Sequence, residues 1–250
     1  KSITVAYING ITYFYVYKVG CSKFNFSTHT FTSVTLTGLT AANIIGIVAV
    51  LGYLIAWTED FIAWSSLIDP TDFTPSLATG AGGGSVQGAK GNIVTCISHT
   101  TGFMVYTNQN AVSAPASGNT RYPFNFREIV ASGGIANKDL VTFDALSGNH
   151  YAYSTSGMQT ISLQAATPVF PELTDFLAGS VFEDFDEASN TFEVTRLTDV
   201  MKKRLVLISD RYLVISYGIT SYTHALIYDT AHKRWGKFKI PHVAVFEFSL

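Results

Sequence analysis

The chain has 250 residues, 47% of them hydrophobic and 14% charged, which is enough apolar material for a large core and well under the ~25% charge of ordinary soluble domains. A formal net charge of −2 gives no basic field and excludes ordinary nucleic-acid binding by phosphate neutralisation. Cys21 and Cys96 match no CxxC or zinc spacing, so they are expected as two buried thiols.

The first element, Val5-Ala6-Tyr7-Ile8-Asn9-Gly10, is an apolar strand ending in Asn-Gly. That dipeptide is a strong hairpin signal, because a type I′ turn needs two residues with positive φ. The pattern returns as Leu54-Ile55-Ala56-Trp57-Thr58-Glu59-Asp60, as Phe103-Met104-Val105-Tyr106-Thr107-Asn108 and as Tyr151-Ala152-Tyr153-Ser154-Thr155-Ser156-Gly157. Tyr7, Trp57, Tyr106 and Tyr153 share one phase, at steps of 50, 49 and 47 residues. Several short strands per unit at a period of ~40–50 residues are the signature of a β-propeller, whose blades bury their faces against their neighbours. The sequence thus predicts an all-β fold, a β-propeller-like repeat of ~50-residue antiparallel β units over residues 1–250. Trp57, Tyr106 and Tyr153 should be buried between sheets. The turns near Asn9-Gly10, Glu59-Asp60, Asn108 to Asn110 and Ser156-Gly157 should be equivalent. Lys1-Ser2 runs straight into strand-like sequence and the chain stops within another such run, Val243 to Phe248, so we read it as an excerpt of a longer polypeptide.

Leu39 to Trp57 is 19 mostly apolar residues, long enough to span a bilayer as a helix. The repeat argues otherwise. A slide of 49 residues lays Asn43-Ile44-Ile45 on Asn92-Ile93-Val94, and the middle of that second copy reads Ser98-His99-Thr100-Thr101, which a bilayer core does not accept cheaply. Two buried strands are expected here, and no membrane span.

Residues 69–91 follow as a loop dense in Pro and Gly, with Asp69-Pro70-Thr71-Asp72-Phe73 at its start and Gly82-Gly83-Gly84 near its middle. Such density marks an extended excursion with unusual backbone angles. Gly83-x4-Gly88 begins a phosphate loop, but Lys90 comes one residue late and Gly91 stands where Ser or Thr is needed. A second excursion spans residues 171–199, where eight carboxylates face one cation, Arg196. It delays the fifth copy, Arg211 to Gly218, whose Tyr217 lies 64 residues after Tyr153. Beyond it, Tyr228 and Trp235 are spaced as in the outer hairpin of kelch-type blades, without kelch's paired glycines, and are expected to pack between blades.

Candidate chemistry is sparse. The six histidines include no HxH or HExxH pair, Glu183-Asp184-Phe185-Asp186-Glu187 lacks the frame that wraps calcium, and no Gly-x-Ser-x-Gly elbow occurs. The Ser-x-Asp-x-Gly-x-x-Trp turn of sialidase-like propellers is absent too. No catalytic, metal or cofactor-binding residue is assigned, and no cofactor is expected.

Trp57-Thr58-Glu59-Asp60, Trp64-Ser65 and Asp69-Pro70-Thr71-Asp72-Phe73 together resemble the packaged-DNA stabilisation, or tail nozzle, proteins of short-tailed bacteriophages. Gly102 to Tyr106, Tyr122 to Ile129, Asp210 to Gly218 and Arg234 to Phe238 extend the resemblance over most of Ile55 to Phe248. It implies a structural virion protein, assembled in the host cytoplasm as a homo-oligomeric, six-fold ring below the portal. Such a ring closes the DNA exit channel, retains the packaged genome and touches passing DNA briefly and without sequence preference. Its partners would be the portal or adaptor and the needle or tail-fibre proteins. Subunit or fibre contacts are then expected at Asp69, Asp72 and Phe73 in the first excursion and at Glu183, Asp184, Asp186 and Glu187 in the second. Two alternatives stand beside it: a kelch-like binding module, favoured by the Tyr228/Trp235 spacing, and a propeller glycosidase or tail depolymerase, which convergent acids on one face would favour.

Overall fold

The computed structural model describes residues 3–173, 181–186, 191–196, 202–218 and 221–242. It divides into two compact units, Lys1–Val130 and Ala131–Leu250. Among the described residues, five four-stranded antiparallel sheets follow one another along the chain, each a simple meander in sequence order. The fold is all-β and propeller-like in its repeat.

The first unit holds three sheets. The first is β1 (Ile3–Ile8), β2 (Ile11–Val16), β3 (Gly20–Asn25) and β4 (Thr30–Val34). The second is β5 (Gly46–Val50), β6 (Tyr53–Trp57), β7 (Phe61–Trp64) and β8 (Gly82–Ser85). The third is β9 (Ile93–His99), β10 (Gly102–Thr107), β11 (Ala111–Pro115) and the short β12 (Arg127–Glu128). Leu39 to Trp57 is thus a helical turn at Ala41–Asn43 followed by β5 and β6, as the repeat requires, and no described helix is long and apolar enough to cross a membrane.

Strand β6 shows why that segment is so apolar. Tyr53, Ile55 and Trp57 enter a core shared with the third sheet, while Leu54 and Ala56 enter one shared with the first. Successive side chains point to opposite faces of a strand, so a sheet covered on both sides reads as a continuous apolar run. Phe124, from the loop between β11 and β12, gathers Tyr53, Trp64 and Phe103 edge-on at 5.6, 6.2 and 4.9 Å between ring centroids.

The second unit holds β13 (Val141–Asp144), β14 (Asn149–Ser154), β15 (Gly157–Ile161) and β16 (Ala166–Pro168). A two-stranded hairpin, β17 (Val181–Asp186) and β18 (Thr191–Arg196), falls in the acidic excursion. The last sheet is β19 (Lys202–Ile208), β20 (Tyr212–Gly218), β21 (Tyr222–Asp229) and β22 (Arg234–His242). Tyr228 and Trp235 are cross-strand partners 4.9 Å apart. Phe170, in the segment after β16, seats its ring 4.6 Å from Tyr228 and 5.1 Å from Trp235. The pair therefore packs against its neighbouring sheet, as expected.

The repeat has one error of phase in the sequence reading. Trp57, Tyr106, Tyr153 and Tyr217 all lie on the second strand of their sheets, but Tyr7 lies on a first strand. Trp57, Tyr106 and Tyr217 are 2%, 0% and 0% exposed and Tyr153 is half-buried, whereas Tyr7 is 67% exposed. The true counterpart in the first sheet is Tyr15 on β2, buried toward the second sheet and donating its hydroxyl to Ala41 O and Ile44 O at 2.7 and 3.0 Å. Asn9-Gly10 does form the expected turn, with φ of 51° and 77°, but it joins strands one and two. Its equivalents are Leu51-Gly52 and Ser209-Asp210, which also carry paired positive φ. Turn chemistry fixes the shape of a hairpin, not its place within a blade.

Candidate binding groove at the glycine-rich edge

The first excursion is divided by the structure. Residues 65–81 are a tight loop, Gly82–Ser85 is strand β8, and the remainder leads to β9. Three features hold the loop. Ser66 Oγ accepts the Ile68 and Asp69 amides at 2.9 and 3.2 Å. Ser76 N–H donates to Ala81 O at 3.0 Å. The Trp64 indole N–H donates to Gly80 O at 2.9 Å, which fixes the ring over the start of β8.

Strand β8 is the outer edge of its sheet, and close approach of aromatic rings explains two of its three glycines, Gly82 and Gly83. A Cβ on Gly82 would sit 3.1 Å from the Trp64 ring, and one on Gly83 only 2.7 Å from the Phe61 ring. Two aromatics on β7 therefore cover the space that side chains of β8 would occupy. The pairing also shows which backbone groups face outward. Thr58 N–H donates to Phe61 O and Ser65 N–H to Leu54 O, so Phe61, Ala63 and Ser65 spend their backbone groups on β6. Antiparallel bonding alternates, so Ile62 and Trp64 bond to their partners Gly84 and Gly82. The N–H and C=O of Gly83 and Ser85 are left pointing out of the sheet.

Beside this edge lies a cavity of about 480 Å³ lined by Trp64, Leu77, the β8 backbone, Arg121, Tyr122 and Phe126. Leu77 is 72% and Tyr122 59% exposed, and the Arg121 guanidinium lies over the Tyr122 ring, 5.4 Å from its centroid. The loop bearing them is held by Asn119 Oδ1, which accepts the Arg121 amide at 2.9 Å, and by Ser117 Oγ, which donates to Tyr122 O. The arrangement is an open backbone edge, an apolar and aromatic trough and one cation at its rim. It can bind; its lining carries the hydroxyls of Ser76, Ser85 and Tyr122 and no histidine, cysteine or carboxylate.

The residues singled out in the sequence fall elsewhere. Asp69 is exposed and accepts the Thr71 amide and hydroxyl at 2.9 and 2.8 Å. The Asp72 carboxylate accepts the Thr74 amide at 2.9 Å, and that hydrogen bond holds its pKa below the ordinary value. Both shape the loop. Phe73 corrects the expectation of a contact residue: its ring is 2% exposed and belongs to the core between the first two sheets. Glu183, Asp184 and Asp186 lie on β17, opposite Val194, Glu193 and Thr191, and Glu187 lies outside the described residues. Cys21 and Cys96 are free and buried; burial pushes the Cys21 thiol up to about 11 and the Cys96 thiol well above its ordinary value. Among the described residues no three His, Cys, Asp or Glu side chains converge as metal ligands do. Sequence reasoning missed Trp64, Arg121, Tyr122 and Phe126 as a set. The available signal was a glycine triplet downstream of two strand aromatics, the pattern of an edge strand overlain by its neighbour's rings.

No family model and no curated protein matches the sequence. Solved structures do match in fold. The dihydro-heme d1 dehydrogenase NirN in complex with DHE is 10% identical with a TM-score of 0.54, covering 96% of this chain and 47% of its own. A chain of the mitotic checkpoint complex is 6% identical with a TM-score of 0.55, covering 94% and 64%. The Dos1 propeller is 11% identical with a TM-score of 0.49, covering 97% and 62%. The chain thus spans between about half and just under two thirds of these chains. At such identities the likeness is one of fold, and a fold shared by a dehydrogenase and a checkpoint complex does not fix a function.

Proposed function

We propose that the protein is a non-catalytic binding module of β-propeller type that takes an extended peptide along β8. The observation that carries this reading is the outward-facing backbone of Gly83 and Ser85 beside the trough of Trp64, Leu77 and Tyr122. A peptide strand added there would take its affinity from main-chain hydrogen bonds and its selectivity from alternate side chains entering the trough. Arg121 at the rim favours an acidic residue or a terminal carboxylate. The test is a selection from a random peptide library, followed by titration of enriched peptides against Ser85→Pro. Proline at an edge position removes one outward N–H and leaves the ladder to β7 intact. Loss of binding with an unchanged melting curve supports the reading; undiminished binding refutes it.

A second reading, a phage tail nozzle subunit in a homo-oligomeric ring, draws on the sequence resemblance and on one observation, the exposed and uncharged apolar face of the first sheet. Its test is incorporation of the purified protein into tails lacking that ring.

A further inference from the structure

We infer that the strand taken by β8 is a chain terminus: a peptide lying antiparallel to β8, with its free α-carboxylate at Arg121 and apolar side chains at its last and third-from-last positions. The inference rests on the peptide-binding reading above and deepens it, because the trough has a direction. A Cβ on Gly80 would lie 3.4 Å from Thr120 O, and one on Gly88 would lie 3.2 Å from Glu128 Cβ. Residues 120–128 therefore run beside residues 80–88 in the same sense, and Arg121 stands at the start of β8. Ser76 N–H donates to Ala81 O and Gly80 N–H to Ser76 O, both at 3.0 Å, which pins Pro75, Ser76 and Leu77 at that same end of the trough. Two loops thus meet across the start of β8 and close the trough there. Its other end is lined by Ser85 and Phe126.

Charge follows the same direction. Among the described residues, Arg121 is the one charged side chain lining the trough and has no salt-bridge partner. Glu128, at the far end, is already paired with Lys90. The backbone then sets the orientation of the ligand. In an antiparallel pair one residue spends both its N–H and its C=O on one partner residue, and such pairing is slightly more stable than parallel pairing. Gly83 and Ser85 each offer both groups, so they accept two such partners. An antiparallel strand passes Ser85 first and Gly82 last, which delivers its carboxyl end to Arg121. An internal acidic residue would have to be followed by more chain, which the loops obstruct; a terminus need not. Gly82 and Gly84 lie on the Trp64 face of the sheet, so the peptide residues opposite them turn their side chains into the apolar trough.

A library of short peptides displayed with free carboxyl ends supplies the probes. Each enriched peptide is synthesised as the free acid, as the C-terminal amide, and with Gly-Ser-Gly added after its last residue, and binding is read by fluorescence anisotropy. The free acid should bind at least ~5-fold more tightly than the amide, and the extended form should bind worst. Arg121→Gln should bring the free acid down to the affinity of the amide and leave the amide unchanged, with a melting curve as the control for folding. The enriched sequences should share large apolar residues at the last and third-from-last positions. If the three forms bind alike while Ser85→Pro abolishes binding, strand addition stands and the terminus is overturned. If no peptide is enriched, or Ser85→Pro binds as wild type does, the peptide-binding reading falls and this inference falls with it.

Discussion

The first and second sheets are built from the same meander, yet one exposes what the other buries. Every residue of β6 is buried because each face of its sheet has a neighbour. On β1 only Ala6 and Ile8 are buried, and the alternate Ile3, Val5 and Tyr7 stand in solvent. The two strands are similarly apolar, so it is their burial and not their composition that differs. β6 is an unbroken apolar run, and β1 is apolar at every position but Thr4; what alternates along β1 is burial.

The contrast can be broken by truncating the equivalent aromatics. Trp57→Ala should cost ~3–5 kcal/mol, as deletion of a large side chain from a core between two sheets. Tyr7→Ala should stay within about 0.5 kcal/mol for the isolated chain. Urea unfolding of the two variants measures both; near-equal losses would mean that the first sheet is covered in solution.

A smaller effect separates two adjacent glycines on the edge of the second sheet. Gly83→Val should destabilise by ~1–3 kcal/mol, because its side chain meets the Phe61 ring. Gly84 has open space around its Cβ position, so Gly84→Ala should be neutral or stabilise by up to ~1 kcal/mol through the unfolded chain. Thermal melts of the pair would show it.

The thiols sharpen the comparison of the cores themselves. Cys21 lies between sheets one and two and Cys96 between sheets two and three, and burial keeps both as neutral thiols at pH 8. Neither should react with an aromatic disulfide reagent faster than the chain opens. If Cys21 reacts first, the first sheet detaches on its own; simultaneous reaction means that the three sheets open together.

The smallest effect lies in the second unit. The Arg211 guanidinium holds the Asp229 carboxyl well below its ordinary value, aided by His232. A carboxyl lowered by folding stabilises above its unfolded pKa of 3.8, and the contribution drains as pH falls toward the lowered folded value. Asp229→Asn should therefore flatten the acid limb of stability against pH. Because Arg211 is 41% exposed, the change should be small.

Much of this was legible in the sequence. The period pointed to the sheets, and Trp57 and Tyr106 were found by phase as buried, with Tyr153 half-buried; Tyr217 came from the fifth copy, out of phase by its 64-residue step. A finer signal was present and passed over: Trp57-Thr58, Tyr106-Thr107 and Tyr153-Ser154 each follow the aromatic with a hydroxyl. Thr58 Oγ1 accepts the Asp60 amide at 3.4 Å, Thr107 Oγ1 the Gln109 amide at 3.0 Å and Ser154 Oγ the Ser156 amide at 3.1 Å, the same hydroxyl-to-amide bond two residues on in three sheets. Tyr7-Ile8 has no such hydroxyl, but neither has Tyr15-Val16, so the signal sets Tyr7 apart without finding its replacement. Phe73 was misplaced because neighbouring Pro and Asp mark a loop, and a loop can still pin one ring in a core. The groove could not be read at all. It depends on Arg121 and Tyr122 meeting Leu77 and β8 across residues far apart in sequence, and on an alternation of backbone bonds that only the register reveals.

The most direct test of the peptide-binding account is amide hydrogen exchange at β8, with and without a peptide selected from the library. The account predicts that the Gly83 and Ser85 amides exchange freely in the unbound protein and are slowed when peptide is added, with Gly82 and Gly84 protected in both states. Equal exchange at Gly83 and Ser85 in the two states, with the peptide bound, would contradict it.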